Sequence, residues 1–189
     1  LLDTEAIPLD LLAVEEKKAV SLLQEHSLAT IDEKGNAAMH ALTQLVVREQ
    51  LTERTQRPVL LAGLAAVLKA KMDKFDDDKP KTWFIGRRYA NHVAMVSGHA
   101  RNWGLLKRAG GNGAGSKSGA DSLLGSVKSM CMQAGLFYAQ IGQYAQALRM
   151  HEDALDSAVA VGGHEHRDVA ASYNNMANVY YSQGKYDEA

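Results

Sequence analysis

The C-terminal part of the chain repeats itself at a spacing of 42 residues. Four positions recur in the same order: Tyr138 as Tyr180, Gly142 as Gly184, Tyr144 as Tyr186, and Ala147 as Ala189. Before the second glycine, apolar residues fall three and four positions apart, which is the spacing of a helix face, at Val169, Tyr173, Met176, Ala177 and Tyr180. The pattern therefore predicts helix hairpins with helices at 144–161 and 167–183. We expect their helices to touch through small residues: Gly135 or Ala177 on one side, Ala147 and Ala154 on the other.

This order of small residue, Tyr, Gly, Tyr and Ala resembles the tetratricopeptide repeat, and the long period resembles the variant found in kinesin light chains. The resemblance implies a mainly α fold, the start of an α-solenoid, whose concave groove binds a peptide or partner protein. It places Asn174, Asn175 and Asn178 in that groove, where carboxamides hold the backbone of an extended peptide. The alternative is that these asparagines are only polar surface, since the first repeat lacks the amide set.

The N-terminal part has a different pattern. PLDLLA and EEKKAVSLLQEH have helical spacing, SLATID alternates like a strand, EKGN is a turn, and AAMH is a second short strand. ALTQLVVREQL then follows as an amphipathic helix. This order of elements predicts a winged-helix-like unit.

The stretch SLLQEHSLATIDEKGNAAMHALTQLVVREQL resembles the end of the nucleotide-binding module of STAND ATPases, the NB-ARC or NLR-like class. The Met-His-Asp motif of that class stands here as Met39, His40 and Ala41. By resemblance, His40 contacts the phosphate of bound ADP, whereas Ala41 offers no carboxylate. The alternative is a structural histidine between a strand and a helix. The resemblance implies ADP or ATP in a longer parent protein, and we expect no cofactor in this chain.

A helical connector is predicted between these two parts. RPVLLAGLAAVLKAKMDKF is expected to be a buried helix and KPKTWFIGRRYANHVAMVSGHARNWGLL a helix pair. Within the pair, Trp83, Tyr89 and Val93 are interpreted as core, and Arg87 and Arg88 as a solvated face. The acidic run of residues 76–78 lacks the alternating ligands of a calcium loop and is interpreted as a solvated turn.

The stretch GGNGAGSKSG, residues 110–119, has nearly the composition of a phosphate-binding loop. Such a loop needs a glycine immediately before the Lys-Ser pair and a buried strand leading into it. Here Ser116 precedes Lys117 and Ser118, and no β-branched strand comes before them. The stretch is therefore interpreted as a flexible linker.

The predicted domains are a winged-helix-like unit at 1–55, a connector at 56–108, a linker at 109–120, and repeats at 121–189, one complete and one truncated.

Composition excludes several function classes. With 21 basic and 22 acidic residues, the chain has no net field to attract nucleic acid or an anionic membrane. The apolar run VLLAGLAAVL is about half the length that a membrane crossing needs.

Cys131, the single cysteine, is interpreted as an inert buried thiol in a reducing, cytoplasmic compartment. His164 and His166 lack partners at metal-site spacing, and neither a catalytic triad nor another catalytic set is present. We therefore expect no enzyme activity and no metal.

The chain begins with Leu1 and stops within its second repeat, and we interpret it as a fragment. The combined resemblances predict a protein-interaction or scaffold segment of a STAND-type signalling protein. A cargo adaptor of the kinesin-light-chain type is the alternative. A winged-helix DNA binder is a third possibility, although ALTQLVVREQL lacks a dense basic face.

Overall fold

A computed structural model describes residues 7–8, 18, 20–21, 24–25, 29–33, 36–39, 57–106, 117–163, 167–185 and 187. The chain divides into two compact units, Leu1–Arg57 and Pro58–Ala189. The described part is mainly helical, which confirms the predicted fold class.

The N-terminal unit contains a three-stranded antiparallel sheet in the order β1-β3-β2, built from β1 (Ile7–Pro8), β2 (Ala29–Ile31) and β3 (Asn36–Met39). Strands β2 and β3 form the hairpin predicted from SLATID and AAMH, with Thr30 opposite Ala38. Ala29 is buried and Thr30 exposed, as expected of strands whose side chains alternate between two faces.

Strand β1 corrects the sequence prediction. The sequence predicts a helix at PLDLLA, but its Pro8 pairs with Asn36 at the edge of the sheet. Proline has no N–H to give to a ladder, and an edge strand is where that loss is tolerated. In the predicted helix EEKKAVSLLQEH, the described residues 18, 20, 21, 24 and 25 are helical. His40 and ALTQLVVREQL lie outside the described residues, so the winged-helix unit stays a prediction.

The C-terminal unit is a succession of helices. They are α1 (Arg57–Met72), α2 (Trp83–Asn102), α3 (Lys117–Gln140), α4 (Tyr144–Gly162) and α5 (Arg167–Ser182), with a 3₁₀ turn at Pro80–Thr82 before α2. Helix α1 buries one stripe with helical spacing, consisting of Leu61, Ala65, Leu68 and Met72. No helix in the described part of the chain is long and apolar enough to span a membrane.

Helix α2 replaces the helix pair predicted for residues 79–106. The helix continues through Gly98, since a buried face on both sides of it, including Val93, Val96 and Ala100, holds one helix together. Tyr89 and Val93 are buried as predicted, and Trp83 is half-buried.

The 42-residue repeat is visible in the backbone. Gly142 follows α3 and Gly184 follows α5, with φ of 75° and 74° respectively, a conformation that glycine adopts without strain. After each glycine the next N–H returns to an equivalent carbonyl, from Gln143 to Tyr138 at 2.8 Å and from Lys185 to Tyr180 at 3.0 Å. Both helices thus end in the same hydrogen-bonded turn.

Helices α4 and α5 lie within one residue of their predicted bounds. The linker prediction differs at its end, because residues 117–120 already belong to α3. Residues 107–116 lie outside the described part.

The buried face of α5 also differs from the predicted apolar spacing. Val169, Ser172 and Val179 are buried, whereas Tyr173 is 54% exposed.

Helices α3 and α4 approach closely at the predicted small residues. Ala147 and Ala154 are buried, and a Cβ added to Gly135 would overlap with the imidazole ring of His151.

We expect Gly135→Ala to lower the free energy of unfolding by about 1–3 kcal/mol, which is the usual cost of overpacking a core. Gly125→Ala, on the same helix with nothing within 4 Å of the added Cβ, is the control and should stabilise by about 0.5–1 kcal/mol. Urea unfolding measures both, and equal effects would contradict the close packing.

Candidate functional site

A groove of about 220 Å³ opens between α3 and α5, with α4 at its bottom. We call it the α3–α5 groove. Its lining consists of Leu136, Ala139 and Gln140 from α3, His151 from α4, Asn175, Asn178, Val179 and Ser182 from α5, and Asp77 from the segment before α2. The groove thus has apolar walls, several carboxamide or hydroxyl groups, and one carboxylate.

Helix periodicity brings two of the three predicted asparagines into the groove. Asn175 and Asn178 are three residues apart and therefore share one face of α5. Both line the groove, with Asn175 half-buried and Asn178 exposed. Asn174 is exposed and is not part of the lining. Gln140 adds a third carboxamide from α3, so donors and acceptors stand on both walls.

His151 is a site residue that the sequence prediction missed. Its side chain is 0% exposed, and neither Nδ1 nor Nε2 has a hydrogen-bond partner among the described residues. Burial lowers the pKa of His151 to about 4, so the imidazole is neutral at pH 7. The sequence feature that could have identified His151 is its spacing. It lies four residues after Ala147 and three before Ala154, and therefore on the helix face predicted to meet Gly135.

The acidic run forms a turn before α2. The Thr82 hydroxyl donates to the Asp76 carbonyl at 2.8 Å, and the Trp83 indole N–H donates to the Asp77 carbonyl at 3.1 Å. Lys79 pairs with the Asp76 carboxylate and thereby lowers the pKa of Asp76. Carboxylate oxygens of residues 76–78 lie within 4.8 Å of one another, a spacing suited to a cation, but one of the three carboxylates already has this ion pair.

A polar cluster joins α2 to α4. The buried carboxylate of Asp153 accepts hydrogen bonds from the Ser97 hydroxyl and from Arg101, whose Nε lies 2.8 Å from Oδ1. These bonds to Asp153 raise the pKa of Arg101. Cys131 is fully buried, and desolvation raises the pKa of its thiol, as expected of an inert cysteine.

The remaining predicted residues lie elsewhere. Arg87 is exposed as predicted, whereas Arg88 is half-buried with its guanidinium 5.9 Å from the centre of the Tyr89 ring. Lys117 and Ser118 are part of α3. His164 and His166, like His40, lie outside the described residues.

Helices α3 and α5 end in the same glycine turn, 42 residues apart, which indicates a repeat family. Comparison with family models agrees. Residues 129–189 match the tetratricopeptide repeat. The match covers the C-terminal half of α3, all of α4 and α5, and every groove residue except Asp77. It does not reach the N-terminal unit, where the resemblance to NB-ARC proteins stays a prediction. No curated protein and no solved structure gives a significant match.

Proposed function

We propose that the tetratricopeptide region binds an extended segment of a partner protein in the α3–α5 groove. The observation that supports this proposal is the set of carboxamides that line the groove from both walls, Gln140 from α3 and Asn175 and Asn178 from α5. A carboxamide donates and accepts at once, as a peptide group does, so it pairs with a backbone whatever the side chains. Leu136, Ala139 and Val179 supply apolar surface for the side chains of that segment.

The wider role is also a proposal. We infer that the chain is an interaction or scaffold segment of a STAND-type signalling protein in the cytoplasm. The β2–β3 hairpin and the helical residues before it support this role, because they follow the order of elements in a winged-helix unit. The alternative, a cargo adaptor of the kinesin-light-chain type, is favoured by the 42-residue period. A phosphate loop encoded upstream supports the first, and an upstream heptad coiled coil supports the second.

Peptide binding is testable with a library of random nonapeptides displayed on phage and selected against the full chain. We expect peptides whose Kd, measured by fluorescence anisotropy, rises about thirtyfold in the double variant Asn175→Ala/Asn178→Ala, because two hydrogen bonds of about 1 kcal/mol each are lost. Asn174→Ala is the matched control, since Asn174 is on the same helix but outside the groove, and it should leave Kd unchanged. Failure to select any peptide, or equal Kd values in all three proteins, would refute the proposal.

A further inference from the structure

The lining of the α3–α5 groove includes one acidic residue, Asp77. Its backbone carbonyl accepts a hydrogen bond from the Trp83 indole, but within the described part of the chain neither a hydrogen bond nor an ion pair reaches its carboxylate. Lys79, two positions further along the turn, pairs with Asp76 instead. The negative charge of Asp77 is therefore not compensated by the residues described around it.

Two helix C-termini add to this negative potential. Ala139 and Gln140 belong to the last turn of α3, and Ser182 is the last residue of α5, so both helices end at the groove. The C-terminus of a helix carries a partial negative charge, which a basic side chain in the last turn stabilises. Neither of these last turns contains a basic residue. Both helix ends and Asp77 therefore favour a cation in the groove.

The described residues that line the groove include no basic side chain to take this place. Lys185 follows the end of α5, but it is not part of the lining and its ammonium lies 6.0 Å from the centre of the Tyr180 ring. The lining offers further acceptors instead. The Ser182 hydroxyl donates its proton to the Asn178 carbonyl at 2.8 Å, so its oxygen is left to accept a hydrogen bond.

A segment that covers the groove displaces water from the Asp77 carboxylate. Burial of a carboxylate without a partner is costly, so an apolar or acidic side chain placed over Asp77 weakens binding. A basic side chain replaces the lost water by an ion pair. Lys and Arg also have a stem of methylene groups that packs on apolar surface while the charged end stays among polar groups. Leu136, Ala139 and Val179 offer that surface in the groove.

We propose that the partner segment bound in the α3–α5 groove carries a Lys or Arg residue, whose cation pairs with the Asp77 carboxylate and whose methylene stem packs on Leu136 and Val179. This inference rests on the proposed function, because it names a side chain of the segment that the groove holds. It makes Asp77 a specificity-determining residue, whereas Asn175 and Asn178 bind the backbone without regard to sequence.

The test uses the nonapeptides selected from the phage library, each resynthesised and titrated against the full chain. We expect Lys or Arg to recur at one position. Replacing that residue by norleucine, which keeps an aliphatic stem and removes the charge, should raise Kd about tenfold at low ionic strength. In about 0.5 M NaCl, screening should reduce this norleucine effect to about threefold.

Two variants of the chain test the role of Asp77. Asp77→Asn keeps the shape of the side chain and the backbone carbonyl that the Trp83 indole contacts, so we expect it to fold. In this variant the norleucine effect should fall to about threefold, the part due to the helix ends. Asp78→Asn is the matched control, because it removes an exposed carboxylate from the same turn but outside the lining, and it should leave the effect near tenfold.

The outcomes separate this inference from the proposed function. Selected peptides without a recurring basic residue, or equal norleucine effects in Asp77→Asn and Asp78→Asn, overturn this inference and leave the proposed function intact. If circular dichroism shows that Asp77→Asn does not fold, the wild-type chain decides, since a norleucine effect that salt leaves unchanged overturns the inference too. Failure to select any peptide overturns the proposed function and this inference with it.

Discussion

Asp153→Ala is expected to lower the free energy of unfolding by about 2–4 kcal/mol, because it removes the hydrogen bonds that Ser97 and Arg101 donate to a buried carboxylate. The carboxylate is 1% exposed and joins two residues of α2, Ser97 and Arg101, to the middle of α4. Without it, the buried Ser97 hydroxyl loses its carboxylate acceptor, and Arg101, whose side chain is 32% exposed, loses its ion-pair partner. Urea unfolding of the full chain, followed by circular dichroism, measures the loss.

The matched control is Asp156→Ala, which removes an exposed carboxylate from the same helix one turn later. Its effect should stay within about 0.5 kcal/mol, as for most surface substitutions. Arg101→Ala should be at least as damaging as Asp153→Ala, because it leaves the buried carboxylate without its cation. Equal losses in Asp153→Ala and Asp156→Ala would contradict a structural role for the cluster.

The second large effect is a loss of stability in mild acid, caused by His151. Burial holds the pKa of His151 at about 4 in the folded chain, whereas an unfolded histidine has a pKa of about 6.5. The unfolded state therefore binds the proton first as the pH falls. The contribution of neutral His151 to the free energy of unfolding is fully present above pH 6.5. It is lost progressively as the pH falls toward 4, by about 3 kcal/mol in total.

Urea unfolding at intervals between pH 7 and pH 4 measures this loss, and His151→Leu is the comparison. The leucine variant has no group to protonate at this position, so its stability should fall less steeply across the same interval. It should also be more stable than the wild type at pH 7 by about 1 kcal/mol, since it removes buried nitrogens that have no partner. Parallel pH profiles for the two proteins would show that His151 does not carry the effect.

The repeat part of the fold could be predicted because local chemistry determines it. Gly142 and Gly184 adopt the same left-handed conformation, and a glycine at the end of a helical pattern predicts it without knowledge of the tertiary structure. The helix bounds around them were consequently correct to within one residue. The β2–β3 hairpin was likewise correct, because strand alternation and a turn are local signals.

Prediction failed where packing between elements decided the outcome. Pro8 is in a strand only because β3 offers it an edge, and the predicted helix pair is one helix because residues on both sides of Gly98 are buried. The apolar spacing predicted for α5 includes Tyr173, which is 54% exposed, whereas the neighbouring Ser172 is buried. Spacing alone did not distinguish these neighbouring faces of α5.

The candidate site was predicted only in part, because part of it also depends on packing between elements. Asn175 and Asn178 could be found because a carboxamide pair at helical spacing is visible in the sequence. His151 could not be recognised as a site residue, because the absence of a hydrogen-bond partner is a property of the whole packed structure. Its spacing from Ala147 and Ala154 puts His151 on their face of the helix, but spacing carries no information about hydrogen-bond partners.

The ion pair between Lys128 of α3 and Asp168 of α5 has a consequence for binding. These two residues precede the first groove residues on their helices, Leu136 and Asn175, by eight and seven positions, or about 12 and 10 Å along the helix axes. The pair therefore holds the two walls together two turns below the groove, before any partner arrives. A preorganised gap spares the partner the entropy of ordering the walls, so affinity depends on what the segment itself contributes.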